Sequence, residues 1–338
     1  MGKRIEWLAV LRGLNILLVV MFHVQLIDMS TGENHAFCNE ITSFFTPIRI
    51  PLFIFISGGL LYLRRIRKEW EIKKLYRDKL KRIMIPFVFF VTIYFFIKAL
   101  MNSVVKTKVD LSIHYFLESF LLFENHPSAP LWFLATLMIL MLMYPLFKYV
   151  CKKDVYMLSF LIFTICIYFF DLSSYERFNY FYLLYLNKYL VFFYLGIFFF
   201  KYETYKYMNN IFVFLLLLFL YTLTFIYDID LLTSVLGILT MTSLCIIVSR
   251  YLPSLFSSFR DYIYQVYLMS FIFQGFVELV LWKKMFYNES LFIVFYILNV
   301  AFGIYGPVII SKIIKRTNNN ILSLCFGIPL STTFQRDR

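Results

Sequence analysis

Apolar stretches of 16 to 22 residues recur ten times along the chain, separated by short polar or charged segments. They cover 7–28, 44–63, 83–101, 131–147, 155–170, 181–200, 211–227, 231–248, 262–282 and 291–310. About 20 helical residues cross the hydrocarbon of a bilayer. Lipid offers the backbone no hydrogen-bond partner, so a segment that crosses singly must be helical. The pattern therefore predicts an all-α integral membrane protein of about ten transmembrane helices. A further apolar stretch, 112–123, is too short to span and is predicted to lie at the interface or to dip in from one side. No internal repeat and no Pro/Ser/Gly linker breaks the series. That predicts one membrane domain over 1–314 and a short cytoplasmic tail over 315–338.

Composition agrees and charge adds orientation. The 338 residues are 61% hydrophobic and 16% charged, with a mean hydropathy of +0.74. A soluble protein is about a quarter charged, so most soluble enzymes are excluded. An aromatic content of 21% excludes a disordered chain. The net charge of +13 would suggest nucleic acid in a soluble protein. Placing the N-terminus in the cytoplasm and alternating the loops gives another explanation. The cytoplasmic side then receives 24 of the 33 basic residues, from Lys3 and Arg4 onward, ten of them between Arg64 and Arg82. Eight fall at outer helix ends and outer loops, among them Arg49, Lys98, Lys106 and Arg177. This positive-inside bias predicts that both termini are cytoplasmic and that nucleic acid is not a partner. The first apolar run is long enough to span, lacks a cleavage site and carries Arg12 and His23, so it is not read as a signal peptide. The five cysteines are odd in number and scattered, and neither a Cys-x-x-Cys pair nor a His-Glu-x-x-His motif occurs. No disulfide framework, metal site or permanently bound cofactor is expected.

The remaining ionisable residues mark candidate chemistry. Arg12 and His23 are 11 residues apart in the first helix, which returns nearly to the same face about 16 Å further along the axis. A cation at that depth costs several kcal/mol unless it faces protein or water. Snorkelling of Arg12 and a helix-packing hydrogen bond by His23 are the plainer alternatives. The segment 64–82, RRIRKEWEIKKLYRDKLKR, reads as a basic loop. It is either an anchor for anionic headgroups or a clamp for a phosphorylated ligand, with Lys79 and Arg82 on one face if the segment is helical. In 49–59, RIPLFIFISGG, Pro51 suits a first helical turn, and Ser57, Gly58 and Gly59 allow close helix approach. Glu278 could pair with a cation, orient His23, or sit near the outer interface beside Trp282. His35, His114 and His126 read as surface histidines of outer loops.

These motifs resemble those of the acyltransferase-3 superfamily of integral membrane O-acyltransferases, in particular its fucose 4-O-acetylase-like branch. The shared elements are an arginine, ten residues and a histidine in LRGLNILLVVMFH; IPLFIFISGGLL in the second helix; and KLKRIMIPF after the basic segment. LWFL at 131–134, with Trp132, and FFYLGIFF at 192–199 follow. The likeness is strong over 5–90, looser to about 200, and mainly one of hydropathy beyond. Two positions depart from the pattern. Lys79 stands where the family has an arginine, which keeps charge but loses the bidentate fork. Tyr267-Leu268-Met269-Ser270 stands where members often end in histidine.

The resemblance implies transfer of an acyl group, usually acetyl from acetyl-coenzyme A, to a sugar hydroxyl of a surface polysaccharide or its lipid-linked precursor. The location it implies is the bacterial cytoplasmic membrane. In that scheme Arg12, Lys79 and Arg82 hold the donor and His23 is the general base, or carries the acyl group covalently. Arg49, Ser57, Trp132 and Glu278 are possible supporting residues. A polytopic glycan transporter or flippase and a glycan polymerase are the alternatives. Neither the repeat symmetry of the first nor the arginine-bearing outer loop expected of the second is visible in the sequence.

Overall fold

The computed structural model describes residues 5–27, 34–103, 108–123, 126–170 and 183–329. Lys3, Arg4, Lys106, Arg177, the last residue of the predicted first helix, the first two of the sixth, and 330–338 of the predicted tail lie outside the described residues. Those described are helical, apart from turns, loops and one isolated bridge between Ile27 and Asn34. The helices are α1 (Glu6–Phe22), α2 (Ala36–Leu61), α3 (Ile72–Lys79), α4 (Ile85–Leu100), α5 (Ile113–Glu118), α6 (Trp132–Leu142) and α7 (Tyr144–Val150). They continue as α8 (Asp154–Tyr168), α9 (Leu183–Lys201), α10 (Ile211–Ile226), α11 (Asp230–Tyr251), α12 (Ile263–Phe276), α13 (Phe292–Arg316) and α14 (Asn320–Cys325).

Five helical stretches among the described residues are long and apolar enough to cross a membrane: Thr42–Ile66, Ile72–Leu100, Asp230–Tyr251, Ile263–Met285 and Glu289–Arg316. A sixth results if Ala129–Leu142 and Tyr144–Val150, bent by 51°, form one broken span. Asp154–Tyr168 and Ile211–Ile226 are apolar but shorter. The short helix α5 falls where the non-spanning stretch was predicted. Its N-terminus is capped by Ser112, whose hydroxyl accepts from the Tyr115 N–H.

Three expectations are corrected. The segment 64–82 is mostly helix. A π-turn at Tyr62–Ile66 ends the second span; α3 and a second π-turn at Leu80–Met84 lead directly into α4. Pro86 explains the second π-turn, because it cannot donate to the Arg82 carbonyl and a wider turn relieves the clash. Secondly, Pro51 is not in a first turn. α2 begins at Ala36, so Pro47 and Pro51 are interior and Arg49 lies about 20 Å along the helix instead of at its end. Thirdly, the predicted fourth helix is broken, since Pro145 lacks the N–H that would continue α6 into α7.

The chain divides into two compact units: Met1–Ile56 with Tyr202–Thr317, and Ser57–Lys201 with Asn318–Asp337. In the first, α1 packs on α11, α12 and α13, and α10 packs on α11. The Tyr221 hydroxyl donates to the Phe44 carbonyl there, and Gly237 admits Ile48. In the second unit α9 is central, against α6, α8 and the first π-turn. Gly58 and Gly59 lie against α9 too: a methyl at Gly58 would strike the Phe193 carbonyl, and one at Gly59 the Phe200 ring. After α13, α14 is capped by Asn319, and Phe326 packs on Phe89 and Phe90 of α4.

Gly58→Ala is therefore expected to lower stability by about 1–3 kcal/mol, because backbone cannot move aside as a side chain can. Gly275→Ala is the control: no atom lies within 4 Å of an added methyl there, and helix propensity should give a gain of about 0.5–1 kcal/mol. Thermal midpoints of the detergent-solubilised variants check both.

Candidate functional site

His23 is the C-cap of α1, not an interior residue of a longer helix. Its N–H donates to the Val20 carbonyl at 3.1 Å as the helix closes. The Gln274 amide donates to the same carbonyl at 2.8 Å, and Gly303 is the close neighbour that lets Val20 and Gln274 meet. One turn before Gln274 on α12, Phe271 stands edge-on to the imidazole, with ring centroids 5.9 Å apart. Helix α12 thus holds the last turn of α1 through Gln274 and faces the His23 ring with Phe271. The chain leaving His23 is fastened as well. The Trp282 indole donates to the Ile27 carbonyl at 2.9 Å, within a cluster of Val24, Leu26, Cys38, Val277 and Phe295.

A cation at this turn comes from α2. The Arg49 guanidinium carbon lies 2.9 Å from the centroid of the Phe22 ring, and Phe22 stands edge-on to His23 at 5.4 Å. A small recess opens here, lined by Leu18, Met21, Phe22, Thr42, Phe45 and Arg49. Asn15 fixes α1 to α2 beside it. Its amide, in the orientation that satisfies both neighbours, donates to the Arg49 carbonyl (2.9 Å) and accepts from the Phe53 N–H (3.2 Å). That side chain bridges the turn of α2 that contains Pro51. Arg12 lies 11 residues earlier on α1 and is half-buried. Glu278 is half-buried in the π-helical end of the span, four residues before Trp282.

Four of the basic residues of 64–82, Arg64, Arg65, Lys79 and Arg82, lie close together in the second unit. Asp78 accepts from Arg82 Nε at 2.8 Å and from Arg65 Nη2 at 3.1 Å. Lys79 lies within electrostatic reach of Asp78, Arg64, Arg65 and Arg82. Two arginines thus share one carboxylate with Lys79 and Arg64 close by, so the group carries a surplus of positive charge. Arg82 keeps 45% of its side chain exposed, which leaves it accessible to a ligand. The Arg65 guanidinium also covers the Trp70 ring at 3.3 Å. The turn that follows is held by Tyr144, whose hydroxyl donates to the Trp70 carbonyl at 2.8 Å. Tyr76 in turn donates to the Leu142 carbonyl at the α6–α7 break. Ser57 adjoins the glycines packed on α9, and Trp132 rests on Tyr189 with centroids 5.3 Å apart.

Sequence reading missed Asn15, Gln274 and Asp78. Polar residues in apolar runs were the available signal for the first two, and an acid set between Arg77 and Lys79 in the basic segment for the third. It also misjudged His126. That residue is buried, stacked on Tyr115 at 4.4 Å, with its Nδ1 3.4 Å from the Ser119 hydroxyl. His35 stacks on Phe292 at 3.7 Å, while His114 is exposed and pairs with Glu118.

With a helical membrane fold described, and Arg49 laid on Phe22 next to His23, the class of protein is a multi-pass membrane acyltransferase. The chain belongs to the acyltransferase-3 family: that family's model, described as an acyltransferase domain, matches residues 5–312. No curated protein and no solved structure matches the chain. The family match decides for a transferase over the transporter and polymerase alternatives.

Two outcomes are expected. Asn15→Ala, which leaves Arg49 O and Phe53 N–H without the amide, should cost about 1–3 kcal/mol, read from the thermal midpoint. Burial holds the His126 imidazole below its usual 6.5; nearby Lys98 adds to this and Glu118 opposes it. The unfolded chain therefore takes up a proton first as pH falls. The His126 contribution should be complete above pH 6.5 and decline as pH drops towards the lowered folded value. The difference between wild type and His126→Asn in melting temperature against pH measures it.

Proposed function

We propose that the protein transfers an acetyl group from acetyl-coenzyme A, bound from the cytoplasm, to a sugar hydroxyl of a surface polysaccharide or its lipid-linked precursor. The observation that carries this reading is the acyltransferase domain match combined with the placement of His23 beside Arg49 at the end of α1. The chain is read as a member of the fucose 4-O-acetylase-like branch. It crosses the bacterial cytoplasmic membrane about ten times, with both termini and the segment after 314 in the cytoplasm. The bias of 24 of 33 basic residues to one face supports that topology.

In this mechanism Lys79 and Arg82 hold the coenzyme A phosphates. The donor and the basic group then share the cytoplasmic side. Arg12 contacts the donor deeper in the membrane. His23 takes the proton from the attacking sugar hydroxyl. A positioned general base contributes about 10²–10⁴-fold.

His23→Ala and Arg12→Ala are each expected to reduce the O-acetyl signal of the surface glycan by about 100-fold or more, measured by NMR at equal protein levels. Acetyl-coenzyme A should raise the melting temperature of the purified wild type, as any ligand of the native state does, and should do so much less in Lys79→Ala/Arg82→Ala. Full O-acetylation in both single variants would overturn the mechanism.

A further inference from the structure

Asp78 is an acid in a segment that collects positive charge, and its two oxygens are used separately. Oδ1 accepts from Arg82 Nε at 2.8 Å and Oδ2 from Arg65 Nη2 at 3.1 Å. The three residues belong to three consecutive elements: the π-turn at Tyr62–Ile66, α3 and the π-turn at Leu80–Met84. Asp78 and Arg65 keep only 15% and 12% of their side chains exposed, whereas Arg82 is half-exposed. Arg65 is itself fixed, with its guanidinium over the Trp70 ring at 3.3 Å. The carboxylate is thereby anchored at one oxygen and holds Arg82 with the other. It takes Arg82 through Nε, which leaves the edge formed by the two terminal Nη amines outside this contact. That edge is a fork able to grip a phosphate bidentately, and of Lys79 and Arg82 only the arginine has one. A loose, half-exposed arginine would lose its rotamer freedom only on binding, at a cost to affinity; here Asp78 has removed that freedom beforehand. If the group served only to attract anions, the acid would be a poor choice, because it cancels one positive charge.

We propose that Asp78 is a positioning residue of the donor site: anchored by Arg65, it fixes the guanidinium of Arg82 so that the Nη edge receives a phosphate of coenzyme A. The inference rests on the donor assignment made under the proposed function. Asp78 takes no part in the acyl transfer itself, and its effect falls on donor affinity. Charge and position call for opposite signs. Removing the carboxylate raises the positive charge of the group by one, which by itself strengthens the attraction for a polyanionic donor. Removing it also releases Arg82, which weakens the grip on the phosphate. The second effect wins, because Arg82 is half-exposed and added charge beside it is screened by solvent and salt.

The test is the Kd of acetyl-coenzyme A, by isothermal titration of the detergent-solubilised full chain. The proteins compared are wild type, Asp78→Ala, Asp78→Asn, Asp78→Glu, Arg82→Ala and the double variant Asp78→Ala/Arg82→Ala. Asp78→Ala should weaken binding about tenfold. Asp78→Asn can accept from one arginine but not from both, and should fall between wild type and Asp78→Ala. Asp78→Glu keeps both oxygens and should recover part of the loss. In the Arg82→Ala background the loss of Asp78 should weaken binding no further, which separates action through Arg82 from a general loss of structure. If Asp78→Ala fails to accumulate, the near-isosteric Asp78→Asn is read in the same way. Unchanged or tighter binding in Asp78→Ala, or an equal loss in the Arg82→Ala background, would overturn the inference. Wild type that binds no acetyl-coenzyme A, or an Arg82→Ala that binds it as wild type does, sinks the donor assignment itself. Weakened binding in Arg82→Ala with none in Asp78→Ala removes only this role for Asp78.

Discussion

A carbonyl or N–H exposed in hydrocarbon has no water to turn to, and this chain interrupts its helices in the places where chemistry is proposed. Several of these interruptions are met by a side chain. Asn15 spans the proline-bearing turn of α2, Gln274 takes the Val20 carbonyl where α1 ends, and Trp282 takes the Ile27 carbonyl beyond it. In the second unit Tyr76 reaches the carbonyl at the α6–α7 break, and Tyr144 that of Trp70. Broken helices let the backbone turn and bring side chains such as His23 and Arg49 to one level. Without these donors the breaks would be too costly to keep.

The aromatic richness of the chain has a related purpose. Arg49 lies on Phe22 and Arg65 on Trp70, so in each unit an arginine is laid against the face of a ring. An aromatic face gives a cation partial electrostatic compensation without adding an opposite charge. Where a carboxylate is used, at Asp78, it serves two arginines at once, so the group as a whole stays positive. Positive charge is thereby retained in both units.

Much of this was legible in the sequence because hydropathy dominates membrane helices. The predicted stretches 155–170 and 211–227 fall within two residues of α8 and α10. What hydropathy could not show were boundaries set by polar residues that remain helical. The start of α2 at Ala36 lies in a polar stretch whose Thr42, Ser43 and Thr46 hydroxyls fold back onto the helix's own carbonyls. The basic segment read as loop for the same reason: charge looks like solvent, although α3 carries it on a helix. For the site, the arginine–histidine spacing singled out His23. The partner on α2 could not be paired with it, since sequence spacing says nothing of which helices meet.

The second unit is assembled from two separated pieces of chain, 57–201 and the segment from Asn318 onward, where α14 and Phe326 settle on α4. Residues 202–317 belong to the other unit and must leave the ribosome before that segment exists. The face of α4 that bears Phe89 and Phe90 therefore waits, uncovered by its own chain, while four more long helices are made and inserted. Completion of the basic unit is in this sense a late event of biosynthesis. A nascent chain halted after α13 would carry the whole of the His23 unit but not the finished second one.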